Sequence, residues 1–473
     1  MKDFKTQHIK LLADELTPVS IYLKIREHFA SSILLESLDF TDHQQSKSFI
    51  CFSPIHTFRV EKDYLIHNGL IDKKTPLPKD DKRFLSEQID DFLKQFKTKQ
   101  NLVSQYNGFF GYTGYSCVKH FEKTHHTSQD NEIPDLAYSL YKYVIVFDHY
   151  HQEIIIIENL LENEKSELQH ISDLLQTNYS IYPFEKVGSE AISINDEDFI
   201  QLTKKAKEHC QKGDVFQLVL SRQVKQAFAG DDFNVYRALR SINPSPYLFY
   251  LDTGSFKIFG SSPESQLIIN ENEAIIHPIA GTYKRSGDKD ADQQLASQLL
   301  NDKKENAEHT MLVDLARNDL SKFCKSVKVN YLKKPHFYSH VIHLVSEVKG
   351  NIKSDKAFSA LADTFPAGTL SGTPKPKALE LIELYENNSR TFYGGAIGIF
   401  NFNGDVNHAI IIRSFLSINK TLLFQSGAGI TINSDEKTEL EEVNNKIEAL
   451  RKALNIAEKI SIKNKTYEKN ISN

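Results

Sequence analysis

The chain has 473 residues, of which 40% are hydrophobic and 25% charged, and a formal net charge of −5. That is a globular composition, long enough for about two to four average domains or for fewer large β-rich ones. It excludes an electrostatic footprint for nucleic acid, and with apolar runs of only strand length it argues against a membrane partner.

In chain order, residues 1–12 mix Lys, Asp, Gln and His without the apolar core of a signal peptide. β signals dominate the first third. The β-branched runs 141–147 and 153–157, joined by a short polar turn, predict a hairpin. Over 174–192, Asn178, Pro183 and Gly188 interrupt any period, which predicts a boundary, one that sheet strands can still cross, between a region spanning 1–180 and a second spanning 190–460. A helix is expected over 197–210, and strands over 215–220, 248–251, 267–269 and 274–279. An antiparallel meander follows, from 396–402 through a turn at Asn403-Gly404 to 409–412, and from Asn419-Lys420 to 422–425. Residues 461–473 read as a flexible tail.

Cys51, Cys117, Cys210 and Cys324 lie far apart with no CxxC spacing, which fits reduced thiols in the cytoplasm rather than a zinc site or a disulfide framework. His120, His125, His126, His149 and His151 read as loop residues. More informative are Glu305-Asn-Ala-Glu308 and Glu439-Leu-Glu-Glu442, two carboxylate pairs on segments of helical period. Ala307, Met311, Leu312 and Leu315 predict a buried stripe in the first segment; Leu440, Val443, Ile447, Leu450 and Leu454 predict one in the second. Residues i and i+3 share a helix face, so four acids at the edge of buried stripes repel one another unless a divalent cation neutralises them. An all-oxygen set suits Mg²⁺. The bland alternative stays open: Asp302 with Glu305 reads equally as a helix start, and Glu442 with Lys446 as an ordinary i,i+4 pair.

Six further segments stand in a set order: His277-Pro-Ile-Ala-Gly-Thr282, Ala307-Glu-His-Thr-Met-Leu-Val-Asp-Leu-Ala-Arg-Asn-Asp-Leu320, Tyr338-Ser-His-Val-Ile-His-Leu-Val-Ser346, Gly368-Thr-Leu-Ser-Gly-Thr-Pro-Lys375, Tyr393-Gly-Gly-Ala396 and Gly427-Ala-Gly429. In order and spacing they resemble the chorismate-binding enzymes, most of all the anthranilate synthase component I family. A looser likeness runs through Thr17-Pro-Val-Ser20, Leu34-Leu-Glu-Ser37 and Gly108-Phe-Phe-Gly-Tyr112.

The resemblance implies an α+β fold, a large antiparallel β-sandwich flanked by helices, and an enzyme converting chorismate and ammonia to anthranilate and pyruvate. It implies Mg²⁺ on Glu305, Glu308, Glu439 and Glu442. Glu264, in Ser261-Ser-Pro-Glu264, matches the family's general acid, a role that needs a raised pKa; without the match it reads as a strand-end Glu after a proline turn. Arg413, in Ile410-Ile-Ile-Arg413, is out of place in an apolar run unless it meets a carboxylate, here the substrate's enolpyruvyl group. By resemblance Gly281, Thr282, Thr369, Tyr393, Gly427, Ala428 and Gly429 bind substrate, Thr282 and His343 assist catalysis, and Lys375 is a candidate anion contact. His343 alone, between Ile342 and Leu344, reads as a core histidine.

Two positions choose among relatives. Ala280 stands where aminodeoxychorismate synthases carry a lysine, and alanine is no nucleophile. Gln217 stands where isochorismate and salicylate synthases carry a water-activating lysine, and an amide is no general base. Ammonia is then the nucleophile, and with no amidotransferase nucleophile elbow around any cysteine it is expected from a separate glutamine amidotransferase subunit. Leu34-Leu-Glu-Ser37 and Asn243-Pro-Ser-Pro-Tyr-Leu248 match the family segments around a feedback inhibitor, so Glu36, Ser37, Asn243, Pro246, Tyr247 and Leu248 are expected to hold tryptophan. The alternatives are aminodeoxychorismate synthase component I and a noncatalytic tryptophan-responsive subunit. The chain departs from the family pattern at Tyr283 and at Ser116-Cys117.

Overall fold

The computed structural model describes residues 4–37, 46–97, 103–123, 132–338, 341–353 and 355–471; of Thr282 and 461–471 it describes the backbone alone. Local signals are met closely where caps and turns are strong. The Asp196–Lys212 helix starts where the Asn195 side chain accepts from the Asp198 amide, and ends at Gly213 with φ +80°. The predicted hairpin is Leu136–Asp148 against Glu153–Leu161, longer than its apolar runs because Leu136–Asp148 also pairs with Lys47–Glu61 on its other edge. In the meander, Asn419 and Lys420 both take positive φ, 50° and 57°, which joins Ser414–Ile418 to Thr421–Thr431 by a tight turn. The preceding strand, Val406–Ile410, stops short of the expected 412 because Arg413 turns the chain at φ +48°.

Every described pairing is antiparallel, and among the described residues the strands join into one 22-stranded network. It crosses the interval read as a boundary. Ser32–Glu36 pairs with Tyr247–Asp252, and Gly108–Thr113 with Ala396–Asn401, so early and late segments are neighbours in one sheet system. The interval itself ends in a strand, Phe184–Ile192, paired with Gln217–Gly230. Ile33, Phe110, Val144, Ile157, Phe249, Ile258, Ile397 and Leu416, almost all strand residues, make one core cluster where sheet faces meet. A second core lies between sheet and helices. There Val443, Ile447, Leu450 and Leu454 of the Glu436–Ile471 helix pack with Phe259, Phe415 and Phe424.

The long C-terminal helix has no proline or glycine, and its backbone runs through the segment expected as a flexible tail as far as Ile471. The other acidic helix, Lys303–Ser321, is capped by Asp302. Its buried face is His309, Leu312, Val313, Ala316 and Leu320, while Ala307 is exposed. The stripe is rotated from the expected one because His309 faces the sheet and bonds Ser346 at 2.6 Å, a polar contact that an apolar count omits. No described helix is long and apolar enough to cross a membrane.

Ile447 is fully buried in the core between this helix and the sheet. Ile447→Ala is expected to cost about 2 to 5 kcal/mol and to lower the denaturant midpoint in urea titration; a midpoint equal to wild type would show that this helix is not anchored by its apolar face.

Candidate active site

A cavity of about 250 Å³ opens where the two acidic helices meet the sheet. Gln217, Glu264, Ala280, Glu308, His343, Thr369, Tyr393, Arg413, Gly427, Gly429 and Glu442 all line it. These residues come from distant parts of the chain, and antiparallel pairing makes them neighbours.

Glu264 sits between two strands, where Ile410 donates its amide to the Glu264 carbonyl at 3.0 Å. Thr369 donates its hydroxyl to the Glu264 carboxyl at 3.1 Å. Burial pushes this carboxyl up to about 7, opposed by the Thr369 bond and by the Arg413 and Lys446 charges. Near neutrality it is therefore substantially protonated, as an acid must be.

Arg413 gives one N–H to Asn243 Oδ1 at 3.2 Å, and among the described residues it has no salt-bridged carboxylate. Desolvation disfavours its charge, with Glu264 as the opposing influence. A desolvated guanidinium at a cavity wall, short of an anion, is a carboxylate receptor. His343 donates from Nδ1 to the Gly281 carbonyl at 3.0 Å, and burial pulls it down to about 4, so it is neutral at pH 7 with Nε2 as its acceptor nitrogen. Gly281 is needed for this. Its φ is +78°, and a Cβ there would stand 3.0 Å from Leu299 Cδ1 and 3.3 Å from Glu305 Oε2.

Glu308 and Glu442 line the cavity; Glu305 and Glu439 stand outside its lining. Burial, then Glu305 and Glu442, push Glu308 up to about 7; Glu305 and Glu439 are also raised, by burial first and by neighbouring carboxylates. Glu442 is paired with Lys446 at 2.6 Å. Among the described residues no three His, Cys, Asp or Glu side chains stand close enough together to ligate an ion. The donor set nonetheless fits a hard divalent cation: four oxygen-donor side chains from two helices, mutually repelling in a desolvated setting.

Other expectations fall in different places. Gly429 lies against Gln217, whose Nε2 would be 2.3 Å from a Cβ there, and Gln217 Oε1 is buried with no hydrogen-bond partner among the described residues. Ala428 points into the main core instead of the cavity, because adjacent strand residues face opposite ways. Lys375 does not line the cavity as a contact for a substrate anion: its ammonium is buried in an ion pair with Asp319 at 3.0 Å and a bond to the Thr364 carbonyl. Thr282 pairs with His343 through the backbone, and its side chain lies outside the described residues. Lys446, Gln425 and Leu450 also line the cavity, where the sequence offered Lys446 only as the i,i+4 partner of Glu442, Leu450 only as part of a buried stripe and Gln425 only as a strand residue.

A second cavity of about 490 Å³ adjoins the first and shares His343, Arg413, Glu442 and Lys446 with it; Asn243 and Pro246 line this one. Glu36, Ser37, Tyr247 and Leu248 do not. Glu36 pairs with Leu248 across two strands, and its carboxylate accepts from Tyr236 at 2.5 Å and Arg240 at 2.9 Å. The Ser37 carbonyl accepts from Ser46 at 2.6 Å, and residues 38–45 lie outside the described residues. At one of the departures from the family pattern, Tyr283 donates to Asp302 at 3.2 Å.

The model of the family described as chorismate binding enzyme matches residues 34–452. Anthranilate synthase component 1 of Acetivibrio thermocellus is 37% identical over 476 residues, covering 96% of this chain and 95% of the relative. That of Aquifex aeolicus is 35% identical over 479 residues, covering 95% and 94%. Among solved structures, anthranilate synthase component I from Streptococcus pneumoniae superposes with a TM-score of 0.75 at 29% identity, covering 93% of this chain and 98% of that one. The menaquinone-specific isochorismate synthase of Escherichia coli shares the fold, with a TM-score of 0.73 at 18% identity, 96% of this chain and 95% of that one. The chain belongs to the chorismate-binding enzyme family. Within that family it is an enzyme whose full-length likeness is to anthranilate synthase component 1.

Because the Thr369 hydroxyl bonds the charged form of Glu264, Thr369→Val should raise the Glu264 pKa above about 7. A ¹³C-glutamate NMR titration, assigned by the loss of the signal in Glu264→Gln, reads this directly. A pKa that is unchanged or lower in the valine variant would break the assigned contact.

Proposed function

We propose that this protein is the large subunit of an anthranilate synthase, converting chorismate and ammonia to anthranilate, pyruvate and water as the first step of tryptophan biosynthesis. One observation carries the reading: a carboxyl raised to about 7 and an arginine short of an anion share a cavity of about 250 Å³. Chorismate presents a hydroxyl that must leave and carboxylates that must be held. Glu264 gives its proton to the C4 hydroxyl, which departs as water while ammonia attacks the ring, and the Thr369 hydroxyl then stabilises the carboxylate left behind. Arg413 holds the enolpyruvyl carboxylate. In the second step the amination site loses its ring proton and the C–O bond to the enolpyruvyl group breaks, so that the ring becomes aromatic and the departing enolate takes up a proton at its methylene carbon to give pyruvate. In this reading neutral His343, its tautomer fixed by Gly281, accepts that proton at Nε2.

Glu305, Glu308, Glu439 and Glu442 would hold Mg²⁺ in this reading. Bound there, the ion supplies Lewis acidity toward the ring carboxylate and relieves the repulsion among the acids.

Ammonia is assigned to a partner glutamine amidotransferase because no cysteine is activated. Burial raises the thiol pKa of Cys51, Cys117, Cys210 and Cys324, the last to about 12, whereas a glutaminase nucleophile needs a lowered one. Gln217 and Ala280 at the cavity wall support ammonia over water or a lysine as nucleophile. The purified chain with chorismate, Mg²⁺ and ammonium at alkaline pH is expected to form fluorescent anthranilate, with no isochorismate and no use of glutamine. Glu308→Gln is expected to abolish nearly all turnover while far-ultraviolet circular dichroism is unchanged. Isochorismate or 4-amino-4-deoxychorismate as the product, or full turnover with the cation chelated, would overturn the corresponding part.

Tryptophan is assigned as feedback inhibitor to the Glu36–Ser37 and Asn243–Leu248 segments. Asn243 supports this, since it lies in one of those segments and also holds Arg413, so a ligand that moves the segment moves the carboxylate receptor. Linkage then requires chorismate to weaken tryptophan binding by the same factor. Ser37→Phe is expected to lose tryptophan inhibition and keep catalysis; equal inhibition of both forms, or none in wild type, would remove the site.

A further inference from the structure

Behind the cavity lies a buried ion pair that no catalytic assignment uses. Arg390 and Glu386 have side chains only 1% and 5% exposed and meet at 2.6 Å, with a second bond from Arg390 Nε at 2.8 Å. Burying two full charges gains little stability over an apolar pair of the same volume, so the contacts the pair makes to other groups are the more informative feature. Arg390 donates to the Leu370 carbonyl at 2.5 Å and to the Val219 carbonyl at 2.8 Å. Its guanidinium carbon stands 4.9 Å from the Tyr115 ring centre and 5.9 Å from that of Tyr393. Glu386 accepts the Ser221 amide at 2.7 Å and the Ser221 hydroxyl at 2.8 Å, and Gln425 Nε2 donates in turn to that hydroxyl at 2.8 Å. Val219, Leu370, Tyr393 and Gln425 all line the cavity. One ion pair therefore ties together the strand Gln217–Gly230, the turn Gly368–Ser371, the Tyr393 ring and, through Ser221, the strand Thr421–Thr431.

Leu370 follows Thr369, the donor to Glu264. We propose that Arg390, oriented by Glu386, is a positioning residue for the reaction: by holding the Leu370 carbonyl it aims the Thr369 hydroxyl at the Glu264 carboxyl, and it holds Tyr393 and Gln425 in the same frame. The inference rests on the proposed reading of this cavity as the chorismate site. A planar guanidinium is required because a lysine has one point of attachment and cannot reach two carbonyls and a carboxylate in fixed directions.

The test is a double-mutant cycle on the full chain with chorismate, Mg²⁺ and ammonium, pairing Arg390→Lys with Thr369→Val. Arg390→Lys is expected to lower kcat about 10²-fold, as a small misplacement of a reacting group does, with a smaller change in KM. The double variant is expected to be little slower than the slower single one, since a hydroxyl already mis-aimed has nothing left to lose. Multiplying losses, or wild-type kcat in Arg390→Lys, would overturn the inference. Should Arg390→Lys fail to fold by circular dichroism, Glu386→Gln enters the same cycle, where multiplying losses would equally overturn it. A wild-type chain that forms no anthranilate would defeat the reading of the cavity instead, so the two failures are told apart.

Discussion

Desolvation of charge at one junction is the constraint on which the rest of the site depends. Glu264, Glu308 and Arg413 would be an ordinary acid, an ordinary acid and an ordinary cation on a surface; buried where two helices meet the sheet, the carboxyls rise to about 7 and the guanidinium is left short of an anion. Such a junction is costly in isolation and is stabilised by what it binds. The large core on either side supplies the margin, with the mainly strand-built cluster of the sandwich and the aromatic stack from Tyr250 through Phe259 to Phe415 holding the walls fixed.

Glycine and backbone geometry do the fine placement. Gly281 lets a strand approach the acidic helix and offers its carbonyl to His343; Gly429 makes room for Gln217; Arg413 turns the chain between two strands at positive φ. Gly281 and Arg413 take positive φ at the cavity, which is where strain is tolerated when the surroundings over-determine it. Asn243 bonds both Arg413 and Ser261, so the loop before Tyr247 is mechanically continuous with the cavity wall.

Much of this was legible in one dimension. The helix capped by Asn195, the hairpin around Asp148, the turn at Asn419-Lys420 and the apolar stripe from Leu440 to Leu454 follow from local chemistry, since caps, turns and period act within a few residues. The stripe on the Lys303–Ser321 helix was misplaced because the residue that docks it, His309, is polar. The interval 174–192 lacks period, and the strand with which it ends was not legible in it, because pairing depends on the partner strand and not on the segment alone.

The sequence by itself determined the elements, the carboxylate pairs and the ordered motifs, because those are properties of neighbouring residues and of likeness to a family. Only the tertiary structure decided which groups share a cavity and in what state of charge. It placed Lys375 against Asp319, turned Ala428 into the core, gave Arg413 Asn243 as its partner and joined the Arg390–Glu386 pair to four wall residues, Gln425 through Ser221. Burial and pairing across hundreds of residues of chain set those outcomes, and a pKa or a hydrogen-bond partner exists only once that packing is complete.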